Sequence, residues 1–500
     1  MSNPKGPKKP SSQKPSKSGV SGKLGQKPRS SKVAEKPVAG AVPFAFELEA
    51  TPRLNRPRTE KKAQPMDDMR LGEFTIDRMG HDGRGITQWN GKTLFVDGTL
   101  TGERISARLV RDHARYAEAR FDKLLEASPE RIEPVCAHYA DCGGCQLQHW
   151  STENQVAFKQ AAVLQQLELW GGVKPKHVLA PITSAGHGYR RCARLGIDYS
   201  EGEVTLGFRK RNSKQLVQVN LCSVLAPELN RLLAPLKIWL TELRAAEAVT
   251  HIELIHTEQK TAVVLRHVQP LSEVDLQNLA ALSASLNISA WLQGGEAHQL
   301  QDLNGQNLDP RMSYRLSDYE LELDFHPQDF IQVNPDVNAK MVAQALQLLA
   351  LKGNERVLDL FCGIGNFTLP LARKCAEVIG IEAVDSMVQR GRENATKLGI
   401  TNAQFTAANL LTMTEHRLNQ TCGKIDAVLL DPPRDGAKEI IDKLPKLSPK
   451  RIVYVSCNPA TLARDAKVLV AAGYQLDSVG VLDMFPHTAH VESMALFVRR

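Results

Sequence analysis

Ser456-Cys457-Asn458-Pro459 follows the apolar run Arg451-Ile452-Val453-Tyr454-Val455, which reads as a buried strand. A thiol at the mouth of such a strand sits where open α/β sheets bind ligands. The stretch Phe485-Pro486-His487-Thr488-Ala489-His490-Val491-Glu492 leads into the last apolar run, so Glu492 opens a strand. Alone, a cysteine is most often a small buried hydrophobe, and a glutamate at a strand end is most often a solvated charge. Both fall on the same edge of one sheet. A thiolate and a carboxylate converging there can add to a planar ring and then remove a proton from it.

A second loop supplies a reason for that pairing. Val357-Leu358-Asp359-Leu360-Phe361-Cys362-Gly363-Ile364-Gly365-Asn366-Phe367 reads as a strand, a glycine turn and the start of a helix. Its glycines let backbone approach a ligand closely. A dinucleotide fingerprint would want glycine at 368, where Thr368 stands. Glu382 ends the next strand and can accept hydrogen bonds from ribose hydroxyls. Asp359, the two glycines and Glu382 together fit S-adenosylmethionine better than NAD, because no pyrophosphate needs cradling. Asn409 and Asp431-Pro432-Pro433-Arg434 follow the third and fourth strands on the same edge. An Asp-Pro-Pro turn also occurs in adenine amino-group methyltransferases, but those place an aromatic after the prolines, where this chain has Arg434.

C5 of uracil is a poor nucleophile toward a methyl sulfonium. A thiolate added at C6 turns C4–C5 into an enolate, and C5 can then attack. A base must later take the C5 proton so that the thiol can leave. That sequence needs one cysteine and one carboxylate, and Cys457 and Glu492 are the candidates.

The elements that must position these groups follow from the pattern. From about residue 330, strands recur at 355–360, 377–382, 403–407, 424–430, 451–456, 478–483 and 491–498, mostly with helices between them. Asn334 caps and Pro335 opens a helix reaching to about Leu351. This predicts a doubly wound α/β domain with a mainly parallel sheet. Before it, 153–169 reads as helical, and 189–199, 203–219 and 250–267 are β-rich. The 189–214 ribbon interleaves Arg190, Arg191, Arg194, Arg209, Lys210, Arg211 and Lys214 with Tyr189, Tyr199 and Phe208, as a nucleic-acid surface would. From Leu71 to Leu125, five or so short strands suggest a small barrel, with a type I′ hairpin at Asn90-Gly91.

Composition sets the outer limits. Five hundred residues predict two to four domains. No apolar run of about 18 residues predicts a membrane span, and the N-terminus lacks a signal-type apolar core, so a cytoplasmic location is expected. Residues 1–40 carry ten Lys or Arg against Glu35. That surplus of nine exceeds the whole-chain net charge of +8, so the other 460 residues sum to −1. A Lys-, Pro- and Ser-rich tail of this kind is expected to be disordered. It could bind phosphate or serve only solubility. The nine cysteines are odd in number in a large, unexported chain, which argues against a disulfide framework. Cys136, Cys142 and Cys145 lie close enough in sequence to hold a soft metal or an iron–sulfur cluster, with Cys222 a candidate fourth ligand. Zinc would satisfy the same four thiolates.

Phe330-Ile331-Gln332-Val333-Asn334, Asp359–Phe367, Asp431–Arg434, Ser456–Pro459 and His487–Glu492 occur in this order. Together they resemble the RNA uracil-C5 methyltransferases that use S-adenosylmethionine. The resemblance covers about 66–500. It implies a multidomain α/β protein: a disordered basic tail over 1–65, an OB-like TRAM RNA-binding barrel over 66–127, a β-rich central iron–sulfur domain over 128–327, and a class I Rossmann-like methyltransferase domain over 328–500. It makes Cys457 the nucleophile and Glu492 the base. It matches Gln332, Phe361, Asn366, Glu382, Asn409 and Asp431 to cofactor- or base-site positions, and leaves Cys362 to packing. It favours a [4Fe-4S] cluster on Cys136, Cys142, Cys145 and Cys222. Transfer-RNA members are expected to lack both cluster and barrel, so having both implies 23S ribosomal RNA as partner. A monomer is expected, acting on a base that is single-stranded or flipped from its stack.

Overall fold

The computed structural model describes residues 69–245, 247–294 and 299–500. The tail expected over 1–65 lies outside them. All of these residues belong to one contact unit, Val42–Arg500. Among them no helix is long and apolar enough to cross a membrane.

The C-terminal part is built on an eight-stranded sheet. Its order is Ala403–Ala407, Glu377–Glu382, Arg356–Leu360, Ala427–Leu430, Arg451–Ser456, Glu492–Arg499, Tyr474–Leu482 and His177–Val178. The first five strands are parallel, and Glu492–Arg499 runs antiparallel to both its neighbours. The parallel strands are covered on both faces, which is why they read as unbroken apolar runs. One face packs on Val337, Met341 and Leu349 of helix Pro335–Leu349. The other packs on Leu462, Ala466 and Leu469 of helix Pro459–Ala471. The Asn334 side chain caps the first of these helices at Val337 N, 3.3 Å away. That helix stops at Leu349, two residues short of expectation, because Ala350 turns left-handed at φ 50°.

One segment falls in a different place from its sequence assignment. Helix Thr152–Gln166, the wider turn Leu167–Gly171 after it, and strand His177–Val178 lie within the 128–327 span expected to form the central domain. Instead His177 pairs with Ser478 at the edge of the C-terminal sheet. Val163, Leu167 and Val173 share a core with Leu462 and Leu469. A helical apolar stripe does not say which sheet it will cover.

The central region holds a second eight-stranded sheet, ordered Leu216–Gln218, Thr205–Arg209, Cys192–Asp198, Val249–His256, Thr261–His267, Ser289–Gly294, Leu300–Gln301 and Asn307–Leu308. Helices Leu233–Thr241 and Glu273–Leu286 share its core. The N-terminal region is a six-stranded sheet ordered Arg70–Thr75, Arg104–Asp112, Tyr116–Glu126, Lys92–Asp97, Gly85–Trp89 and Arg78–Met79. The hairpin at Asn90-Gly91 forms as expected, with φ 49° and 73° and Trp89 opposite Lys92.

The basic 189–214 ribbon is less of a surface than its composition suggested. Tyr189 and Arg191 are buried. The Tyr189 hydroxyl donates to Pro486 O at 3.1 Å, and Arg191 Nε donates to Gln332 O at 2.8 Å. These two groups brace the C-terminal sheet's loops from the central region and do not face solvent. Arg209 and Lys214 remain exposed.

Candidate active site

Register places the thiol beside the carboxylate. Val455 pairs with Met494 and Ser456 with Ser493, so one further step sets Cys457 against Glu492. The turn holding Cys457 is pinned from both sides. Ser456 Oγ donates to Asn458 O at 3.0 Å and accepts from Asn458 N at 3.2 Å. Asn458 Oδ1 caps the next helix at Ala460 N, and its Nδ2 donates to Arg434 O at 3.1 Å. The Asp431–Arg434 loop is thereby tied to the cysteine loop.

The electrostatics of this edge are dominated by acids removed from water. Cys457 is partly exposed, and burial, then the nearby Glu492 and Asp431, push its thiol up to about 12, while Arg434 opposes them. Burial and Asp431 push Glu492 up to about 8, against Arg434 and Lys159. Burial raises Asp431 to about 7. Asp359 is raised to about 8 by burial, although Thr368 donates to it at 2.6 Å. Glu492 Oε2 and Asp359 Oδ1 are buried without a hydrogen-bond partner. Orphaned carboxylate oxygens are costly to keep. An edge carrying this many of them is suited to a ligand that brings positive charge.

The glycine turn is strained in the way its sequence implied. Phe361, Gly363 and Gly365 all have positive φ, at 62°, 56° and 101°. Glu382 lies against this turn: its Oε2 accepts from Gly363 N at 3.2 Å, and its Oε1 from Ala383 N and Val384 N. Asn409 follows the neighbouring strand and accepts from Leu411 N. Asn366 is engaged with the framework, accepting from Tyr314 Oη and exchanging two bonds with Asn338. Gln332 is buried just before helix Pro335–Leu349. Cys362, the other thiol near this edge, is buried in the core against Gly380.

Arg434 acts on both Cys457 and Glu492, and its Nη2 lies 3.0 Å from His490 Nδ1. The sequence reading gave Arg434 no role. The available signal was a lone cation directly after Asp-Pro-Pro on an edge otherwise lined with acids.

Cys136, Cys142, Cys145 and Cys222 are all free thiols. Three of them are raised, mainly by burial and with a contribution from neighbouring thiols: Cys145 by Cys222, Cys142 and Cys136, Cys222 by Cys136 and Cys142, and Cys142 by Cys136. Gly144 N donates to Cys142 Sγ at 3.4 Å. Even so, no group of three or more His, Cys, Asp or Glu side chains among the described residues is arranged to hold a metal ion.

The strand order, with its antiparallel C-terminal pair, and the acid-lined glycine turn define a Rossmann-like sheet of the methyltransferase class. The chain belongs to the tRNA (uracil-5-)-methyltransferase family, whose profile matches residues 155–500. A protein of Hahella chejuensis, named 23S rRNA (uracil(1939)-C(5))-methyltransferase RlmD, is 44% identical over 430 residues, 84% of this chain and 96% of that protein. One of the same name from Alkalilimnicola ehrlichii is 45% identical over 433 residues, 85% of this chain and 96% of that protein. The crystal structure of a Pyrococcus abyssi tRNA (uracil-54, C5)-methyltransferase in complex with S-adenosyl-L-homocysteine superposes with a TM-score of 0.66 at 23% identity. It covers 85% of this chain and 99% of that one. A match of that length reaches well beyond the C-terminal sheet. A transfer-RNA enzyme therefore shares the fold over most of this chain.

Proposed function

We propose that this protein transfers a methyl group from S-adenosylmethionine to C5 of a uridine in 23S ribosomal RNA. The observation that carries the reading is that Cys457, one residue past the register that ends at Ser456–Ser493, lies close enough to Glu492 at the acid-lined edge to be raised by it. The relatives above 40% identity carry 23S names, which favours that RNA, and position 1939, over a transfer RNA. Cys457 attacks C6. C5 then takes the methyl group. Glu492 removes the C5 proton, the C5=C6 bond re-forms and the thiolate leaves. When bound, the cofactor supplies the methyl group on a sulfonium, whose positive charge suits the acids here. In this reading Glu382 would take ribose hydroxyls, and Phe361, Asn409, Asp431, Gln332 and Asn366 would complete the cofactor and base sites. Arg434 draws the thiol toward its anion.

Region 66–127, which contains the six-stranded sheet of residues 70–126, is assigned as the OB-like TRAM barrel that binds RNA. The 128–327 region is the cluster-bearing domain, apart from the segment 152–178 that packs on the C-terminal sheet, and 328–500 is the catalytic one. The protein acts as a monomer in the cytoplasm. Cys136, Cys142, Cys145 and Cys222 form a soft donor set, with Cys145 and Cys222 each within electrostatic reach of Cys136 and Cys142, and that chemistry suits a [4Fe-4S] cluster. The cluster's contribution is to tie these loops together, since methyl transfer moves no electron. Purified protein is expected to be brown, with about four irons per chain. Colourless protein carrying zinc would overturn the cluster.

Mapping 5-methyluridine in ribosomal RNA from cells with and without this protein tests the function. One 23S position should lose the mark. Loss from transfer RNA alone, or no loss, would refute it.

A further inference from the structure

Glu492 is delivered by an irregular segment, 483–491, between the last two strands. Helix Thr152–Gln166 presents Gln155 and Lys159 to it, one turn apart and so on one face. Both side chains are fully buried. Lys159 Nζ donates to Asp483 Oδ1 at 2.6 Å and to Phe485 O at 3.1 Å. Gln155 Oε1 accepts from His487 N at 2.8 Å, and its Nε2 meets His487 Nδ1 at 3.2 Å. The same Nε2 donates to Leu147 O and Trp150 O. His487 has φ 67°, a left-handed conformation that a residue with a side chain keeps only where its surroundings enforce it. The surroundings do enforce it. Its carbonyl accepts from Gln146 N and Leu147 N, both at 2.9 Å, and Gln146 Oε1 accepts from Ala489 N.

A buried Lys–Asp pair is seldom kept for stability, since apolar residues of similar volume often do as well. Here it fixes the route to one carboxylate. We infer that Gln155 and Lys159 are positioning residues for Glu492, acting from the helix on the segment that carries it. The inference rests on the reading of Glu492 as the base. The charged and titratable groups facing Glu492 are Asp431 and Arg434 from one loop, Cys457 from another and Lys159 from this helix, with His490 beside Arg434. Lys159 opposes the upward push of Asp431. Without it, Glu492 holds its proton to higher pH.

The step at stake is the last one. The Glu492 carboxylate takes the C5 proton, the C5–H electron pair becomes the C5=C6 bond, and the C6–S bond breaks to release the thiolate. Two variants isolate this step. Gln155→Leu keeps the side chain's bulk. Lys159→Met combined with Asp483→Asn removes the pair without stranding a buried ion. Each is given RNA containing the target uridine, and the same RNA with 5-fluorouridine, whose C5 offers no proton and halts the enzyme at the adduct.

Both variants should form the fluorinated adduct within about twofold of the unmodified enzyme. On ordinary RNA they should accumulate adduct while turnover falls about 100-fold, within the range of a displaced base. The alkaline shift of the pH–rate limb should occur in the double variant and be absent in Lys159→Arg. Unchanged turnover overturns the inference. So does a parallel fall in adduct formation and turnover, which marks damaged folding or RNA binding; if neither variant folds, Lys159→Arg decides by whether adduct builds up when the ammonium is replaced. Failure of the unmodified enzyme to form any fluorinated adduct would instead remove the proposed roles of Cys457 and Glu492.

Discussion

Replacing Cys457 with alanine is expected to lower methyl transfer on the order of 10⁴-fold or more and to abolish any RNA adduct that survives denaturation. Without addition at C6, C5 has no enolate to attack with, and binding and orientation alone cannot replace that electron pair. No neighbouring thiol can substitute. Cys362 is buried in the core under the glycine turn and raised well above the ordinary thiol range by burial and by Asp359. Burial, Glu492 and Asp431 hold Cys457 itself high, at about 12. Arg434 already opposes that push, and a sulfonium would add to it. Adduct formation should therefore be faster in the presence of S-adenosylmethionine than in its absence. Single-turnover measurements with and without cofactor check this, and an alanine variant that still methylates uridine would end the mechanism.

The parts of this site legible in the sequence are those where backbone geometry forces composition. Buried parallel strands must be apolar on both faces, so Arg451–Ser456 and Arg356–Leu360 stand out, and Cys457 and the glycine turn are located by where those strands end. Asn90-Gly91 is legible for the same reason: few residue pairs accept two positive φ values. Side chains that work from one region upon another left no such trace. Arg191 looked like one more cation on a basic ribbon, yet it is buried against the Gln332 carbonyl. Gln155 and Lys159 occupy buried positions of a helix that composition would give to solvent. Their partners on the segment before Glu492 lie more than 300 residues away. Local periodicity carries no information at that separation.

Glu492→Gln should divide the reaction in two. Glutamine keeps the shape of the side chain and cannot take the C5 proton. Cys457 attack and methyl transfer proceed, and the methylated adduct then persists. Turnover is expected to fall by about 10²–10⁴-fold, with a covalent protein–RNA band on denaturing gels. Ready turnover would remove Glu492 from the role of base. The same substitution has a signature in the free protein. The folded-state carboxyl is raised to about 8, against roughly 4.3 for an unfolded glutamate. Between those values the folded state binds the proton that the unfolded state has lost, so stability falls as pH rises through that window. Glutamine has no proton to lose. The variant should therefore melt higher than the unmodified protein at pH 8 and nearly level with it at pH 4.5. Activity runs the other way, because only the ionised carboxylate can accept the C5 proton: in the unmodified enzyme the elimination rate should climb with pH toward about 8. The burial that makes Glu492 costly to ionise in the free protein also places its proton affinity close to the working pH of a base.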